Sequence, residues 1–202
     1  MKKYIAKCVE DIDVTKVDAA WDGIEGGVLL DNANAGVAEH RTEFKLAYNK
    51  AGDVYFLYDM DDEHPNCTMA GYNNPIYDEE TVEFFFATES NLRDYLELEW
   101  NVIGGVFAAN IDNDLEGHTV LHFIEDNPVI SHVIPREGGY YIAGKIKAEA
   151  FKGKAEGTWL FNAYRIKRRE DNSMILSAYS PTFIEQFHRP NYFVQLEFEN
   201  ID

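Results

Sequence analysis

The stretch "YLELEWNV", residues 95–102, restricts the folding of this chain more than any other. Leu96, Leu98 and Trp100 alternate with Tyr95, Glu97, Glu99 and Asn101. A period of two marks a strand with one face on a core, because successive side chains of a strand point to opposite faces. On a helix the same apolar residues would scatter around the axis. The pattern recurs in "TVEFFFAT", where Val82, Phe84 and Phe86 oppose Glu83 and Phe85, and in "TEFKLAYN", where Phe44, Leu46 and Tyr48 share a face. It continues in "DVYFLYDM", "GGVFAANI", "HTVLHFIE", "YYIAGKIKAEAF", "TWLFNAYRIKR" and "YFVQLEFE". Turn signals such as "NKAG", "DNDLEG", "EDNP", "REGG" and "REDNS" separate the runs. Short strands at nearly regular spacing predict an all-β fold, a single antiparallel β-sandwich of roughly ten to twelve strands in jelly-roll style. No linker, repeat or low-complexity tract divides residues 1–202, so one domain is expected. The best helical candidate, "NLRDYLEL", merges into the alternating run. The longest irregular stretch, residues 61–80, is a candidate rim for a binding site.

Charge narrows the partners. The formal net charge is −18 over 202 residues. Residues 1–130 carry 27 of the 36 acids and only 8 of the 18 bases. A phosphate backbone or an anionic membrane surface needs clustered Lys and Arg, so no nucleic-acid or membrane partner is expected. Neutral ligands, cations and basic partners fit this charge, and solubility alone also accounts for it. No stretch reaches the roughly 18 apolar residues of a spanning helix. "MKKYIAKCVEDIDV" begins like an export signal but has no apolar centre. A native Met1 therefore implies a cytoplasmic protein, and a trimmed mature form a secreted one. Cys8 and Cys67 form no metal-binding spacing and are expected as free thiols.

Familiar catalytic signatures are missing: there is no GxSxG, HExxH, GxGxxG or P-loop. His118 and His122 share a strand face and read as ordinary half-buried histidines rather than ligands. Glu97 and Glu99 also share a face, as a solvated pair or as carboxylates flanking a substrate. The acidic turn "DNDLEG" places Asp112, Asp114 and Glu116 like the start of a calcium loop. Phe123 stands where the closing bidentate Glu belongs, so a weak Ca²⁺ site is the most this turn offers. No cofactor is required. The abundant ingredients are aromatic rings, 13 Phe, 12 Tyr and 3 Trp, interleaved with acids and amides. A sugar needs this pairing: a ring for its C–H face and polar groups for its hydroxyl rim.

The order of "DVYFLYDMDD", "PIYDEETVEFFFA", "YLELEWN", "TWLFNAYRI" and "SAYSPT…FHRPNYFVQLEF", over about residues 15–199, resembles the family 9 carbohydrate-binding modules. It also resembles the wider group of sandwiches that includes the DOMON domains. The resemblance implies a β-sandwich that holds a glucan, xylan or cellulose end, or a small sugar, between two aromatic rings. By position, the rings would be Tyr77, six residues before Glu83, and Tyr179 in "SAYSP". Glu83, Glu97, Glu99, Asn101, Asn162, Arg165 and His188 would supply the polar rim. Arg165 has an ion pair with a nearby acid as its plain alternative. The chain departs from the family pattern in two ways: both rings are Tyr rather than Trp, and glutamates stand where characterised members tend to place an Arg. The family also often carries structural Ca²⁺. The implied function is non-catalytic carbohydrate binding. The alternatives are a protein-interaction scaffold, a haem-binding redox module and a sugar-active enzyme using paired glutamates.

Overall fold

The alternating runs become strands over nearly the residues they occupy. The computed structural model describes residues 2–89, 91–152, 155–169 and 171–199. In chain order its strands are β1 (Lys3–Cys8), β2 (Gly26–Val28), β3 (Leu30–Asp31), β4 (Thr42–Tyr48), β5 (Val54–Asp61), β6 (Gly71–Tyr72), β7 (Thr81–Ala87) and β8 (Asp94–Trp100). There follow β9 (Gly105–Asn113), β10 (Thr119–Phe123), β11 (Val129–Arg136), β12 (Gly139–Ile146), β13 (Thr158–Arg168), β14 (Met174–Ala178) and β15 (Val194–Phe198). The helices among the described residues are 3₁₀ turns of three residues each. "NLRDYLEL" resolves as strand from Asp94 onward.

The strands form two layers. One has the order β1-β4-β5-β12-β11, with β2 on β4. The other runs β10-β9-β8-β7-β13-β15-β1 and carries β14, β3 and β6 at its margins. Strand β1 belongs to both: Lys3–Ala6 pair with β15, and Lys7 and Cys8 pair with β4. Both pairings are parallel, as is β6 with β9. A simple antiparallel sandwich is therefore not what forms. The chain builds one curled, mixed, all-β sheet, in which β1 joins the layers without a hairpin to either neighbour. The 15 strands exceed the expected number, and β2, β3 and β6 are pieces of two or three residues. No alternating run announced β11. It is an edge strand, its exposure hides any alternation, and Pro135 within it is tolerated because an edge leaves backbone N–H groups unpaired.

Between the layers lies an aromatic core. The Phe84 ring is fully buried and meets Phe44, Phe56, Tyr58 and Phe86 at centroid distances of 5.4, 5.9, 4.6 and 5.5 Å. A second apolar cluster covers the outer face of the β7-β8-β9-β13 layer: Phe85, Tyr95, Phe107, Tyr164, Phe187 and Phe193, with Ile76. This layer is thus buried on both faces, and all seven residues of β7 are buried. Two segments make the cover. Residues 66–80 are tied down where Asn73 donates to Ile124 O and accepts from Ala108 N, and where Asn101 Nδ2 donates to Met69 O at 2.7 Å. Residues 180–193 supply Phe187, stacked on Tyr164 with centroids 4.2 Å apart.

At one end of the core the same sheet buries charge. Arg165 donates to Thr42 Oγ1 (2.8 Å), to Asp61 O (3.1 Å) and to Asp62 Oδ2 (2.9 Å). Lys167 Nζ reaches Asp62 Oδ1 at 3.0 Å and Glu80 Oε1 at 2.9 Å. Arg165 is therefore an internal ion-pair partner and not part of a sugar rim. It has the parity of Ala163 and Phe161, whose side chains point between the layers. A buried pair broken on one side leaves an uncompensated charge. We expect Asp62→Ala to destabilise the protein by about 3–5 kcal/mol, read as a lower unfolding midpoint in denaturant.

Candidate functional site

On the outer face of β7 and β8 the alternation places polar groups among the rings. The antiparallel register sets Glu83 opposite Glu99 and Phe85 opposite Glu97. Each Glu lies on the side away from the inter-layer core, because Val82, Phe84, Leu96, Leu98 and Trp100 take the inner side. The three carboxylates converge: one oxygen from each lies within 4.8 Å of the other two. Among the described residues this is the only such grouping of His, Cys, Asp and Glu ligand atoms.

The cluster is closed off. Glu83, Glu97 and Glu99 are 2%, 4% and 0% exposed. Thr81 Oγ1 donates to Glu83 Oε1 at 2.7 Å. Among the described residues no N–H or hydroxyl donor reaches either oxygen of Glu99 or Glu97 Oε2, and the Glu97 and Glu99 carboxyls meet each other. Burial pushes the Glu83 carboxyl up to about 7, opposed only by the Thr81 bond. Burial, then the Glu83 charge, pushes Glu97 up to about 8, opposed by its contact with the Glu99 carboxyl. Glu99 is held well above the usual carboxyl range by burial first and by its two neighbours second.

His188 walls the cluster on one side. Its ring stacks on Phe85 at 5.2 Å, and its Nδ1 lies 2.7 Å from Tyr95 Oη. Asn113 Nδ2 donates to the same hydroxyl at 3.1 Å. With Tyr95 donating to Nδ1, the ring proton sits on Nε2, the nitrogen that faces Glu97 Oε1 at 3.9 Å. That separation is too long for a hydrogen bond. Burial pushes the imidazole down to about 4, so His188 is neutral at pH 7 and gives the carboxylates no compensating charge. Tyr77 borders the other side. Its half-buried ring packs edge-on to Phe107 at 5.2 Å, and its hydroxyl feels the charges of Glu99 and Glu97.

The structure thus brings together Glu83, Glu97, Glu99, His188 and Tyr77. It separates Tyr179 from them. Tyr179 is 7% exposed and lies between the layers, 5.0 Å from Phe44 and 5.7 Å from Phe161, with Lys2 Nζ 3.4 Å above its ring. A slot between Tyr77 and Tyr179 does not exist, because the sheet runs between them. The local cause is Asn162, which clasps the turn by donating to Ser180 O at 2.8 Å and accepting from Ser180 N at 2.9 Å. With Ala178 outward, Tyr179 turns inward. Its place is packed so closely that a Cβ on Gly27 would stand 2.4 Å from the Phe44 ring and 3.1 Å from Tyr179. Asn101 likewise has a structural task, accepting from Gly105 N at 2.7 Å.

The acidic turn does not form the expected Ca²⁺ loop. Asp114 caps its own turn by accepting from the N–H groups of Glu116, Gly117 and His118, and its other oxygen meets His118 Nδ1. Asp112 is engaged by His122 at 2.8 Å. These carboxylates are spent on local bonds, and Asp112, Asp114 and Glu116 do not converge. Cys8 and Cys67 are free thiols. Met60 is buried in the inter-layer core, whereas Met69 and His188 lie on the outer face. Tyr95 and Thr81, which position His188 and Glu83, escaped the sequence reading. The i, i+2 spacing of Thr81 and Glu83 was the available signal. An open cleft of about 950 Å³ elsewhere is lined by His40, Asp61, His64, Arg136 and Lys167, among others, and by no Tyr, Trp or Phe.

No family model matches the chain, and no curated protein matches it. Solved structures do. A candidate carbohydrate-binding protein from Bacteroides uniformis ATCC 8492 aligns over 98% of this chain and 99% of its own, with a TM-score of 0.79 and 19% identity. A family 9 carbohydrate-binding module from Caldicellulosiruptor kristjanssonii in complex with glucose covers 100% and 97%, at a TM-score of 0.72 and 12% identity. The module from that organism in complex with cellotriose covers 100% and 95%, at 0.70 and 13%. The chain therefore has the family 9 carbohydrate-binding module fold from end to end.

The buried carboxyls bind protons more tightly folded than unfolded. Their contribution to stability is full below about 4.5, the unfolded carboxyl value, and is lost as pH rises to about 8. In a chelating buffer, unfolding free energy should decline from pH 5 to pH 8. Glu99→Gln should flatten that decline. Urea titrations across this range measure both.

Proposed function

We propose that this protein binds carbohydrate without breaking bonds, on the outer face of the β7-β8-β9 layer beside Tyr77. The observation that carries the reading is the end-to-end likeness of fold to modules solved with glucose and with cellotriose. The residues of this face suit the chemistry. Tyr77 offers an aromatic edge that is still partly exposed, and the glutamates behind it have oxygens without partners. A hydroxyl rim would donate to such acceptors. Access to the floor requires the 66–80 cover to shift, since Tyr77 and Ile76 ride on it. The large cleft fits a sugar less well, because its lining includes no Tyr, Trp or Phe for stacking. Binding, not hydrolysis, is the reading because the solved structures to which this chain is similar are carbohydrate-binding modules.

The ligands to test are glucose and cello- and xylo-oligosaccharides, as ends of cellulose and xylan chains. Titration calorimetry should show saturable heat with at least one. Tyr77→Ala should weaken that binding by about 1–3 kcal/mol, whereas Tyr179→Phe should leave it unchanged. No heat across the panel would overturn the reading in favour of an interaction scaffold. Affinity lost in His40→Ala but kept in Tyr77→Ala would move the site to the cleft.

A further inference from the structure

Five acidic side chains are buried among the described residues: Asp62, Glu80, Glu83, Glu97 and Glu99. The fold treats them in two ways. Asp62 is met by Arg165 and Lys167, and Glu80 by Lys167 and the N–H groups of Asn66 and Arg168. Glu83, Glu97 and Glu99 pair with no Lys or Arg among the described residues; Thr81 donates to Glu83, and His188 Nε2 stands 3.9 Å from Glu97 Oε1, beyond hydrogen-bond reach. Two buried acids thus have a buried cationic partner, and these three have none among the described residues.

Two independent features say what belongs there. The first is geometric. Oxygens bound to one ion at about 2.4 Å can be at most about 4.8 Å apart. One oxygen of each glutamate meets that limit with both of the others. The second is an unmet demand. Glu99, fully buried, faces the cluster with no N–H or hydroxyl donor on either oxygen among the described residues, and Glu97 Oε2 also lacks one, so the two carboxyls have only each other. Unpaired buried acceptors of this kind are costly and rare in native folds. The donor set is oxygen only, with no thiolate present, which selects a hard cation over zinc or copper.

The geometry points to a divalent cation site, of the Ca²⁺, Mg²⁺ or Mn²⁺ class, held by Glu83, Glu97 and Glu99 on the outer face of the β7-β8 ladder. Three carboxylates supply half of a six-oxygen shell, so the remaining positions fall to water or to ligand hydroxyls. The acidic turn at Asp112–Glu116 is a separate place, already spent on its own backbone. The cation site goes beyond the sugar reading and does not depend on it.

The test uses the full chain, dialysed against a chelator and then freed of it, with no sugar present. CaCl₂, MgCl₂ and MnCl₂ are titrated in turn by calorimetry at pH 7.5, and thermal unfolding is followed at saturation. One-to-one binding with a dissociation constant below about 1 mM, accompanied by a higher Tm, is the expected result for at least one ion. Glu97→Gln and Glu99→Gln keep the side-chain volume and should each weaken binding by at least tenfold. A double Asp112→Asn, Asp114→Asn variant should bind as the unaltered chain does. Absence of saturable binding by all three ions would overturn the proposal, and the glutamates would then be buried neutral acids. So would affinity that survives both Gln variants, or that disappears in the double Asn variant. Should one Gln variant fail to fold, the other, together with Glu83→Gln, still decides. Because sugar is absent, cation binding can succeed where sugar binding fails, and the reverse.

Discussion

The ladder between β7 and β8 sets the terms for everything on the outer face. Its register places Glu83 across from Glu99 and Phe85 across from Glu97. A slip of one residue would carry three carboxylates into the aromatic core and bring Phe84 and Leu98 outward. The inner face prevents that slip. Phe84 is locked among Phe44, Phe56, Tyr58 and Phe86, and Trp100 lies against Phe56 at 4.2 Å. Packing on one side of the sheet therefore pays for an electrostatic arrangement on the other that would not hold itself together.

Two buried clusters of charge sit on opposite faces of this layer and differ in kind. The Asp62–Arg165–Lys167–Glu80 group is balanced and hydrogen-bonded, and serves the architecture by joining β13 to the segment after β5 and to the residue before β7. The glutamate group is unbalanced. Burial raises all three carboxyls, the charges of neighbouring glutamates raise Glu97 and Glu99 further, and burial keeps the nearest imidazole neutral. Perturbed, unpaired groups of this sort concentrate at functional sites. The contrast within one protein is informative because both clusters are deeply buried, so burial alone does not explain why one of them lacks a partner.

The C-terminal segment shows how tertiary context reassigns a motif. "SAYSPT…FHRP" contains Tyr179, Phe187 and His188 within ten residues, and a linear reading sends them to one wall. Asn162 clasps Ser180, Tyr179 turns into the inter-layer core against Phe44, and Phe187 and His188 pass over the outer face onto Tyr164 and Phe85. Three neighbours in sequence thus serve opposite sides of one sheet.

By itself the sequence determined most of the longer strands and their faces, though not β1, β11 or β14. A period of two is a local property, and the runs around Phe44, Phe84 and Trp100 point where they were read to point. It also set Glu83, Glu97 and Glu99 on one face of β7 and β8, because side-chain parity survives folding. Tertiary structure decided the rest. The parallel joins of β1, between strands remote in the chain, carry no local signature. Whether the glutamates meet water or rings depends on residues 66–80 and 180–193 folding over them. Arg165 and Tyr179 could not be placed from their spacing, because a side chain at a strand end takes the face that its long-range partners, Asp62 and Thr42 or Phe44 and Gly27, make available.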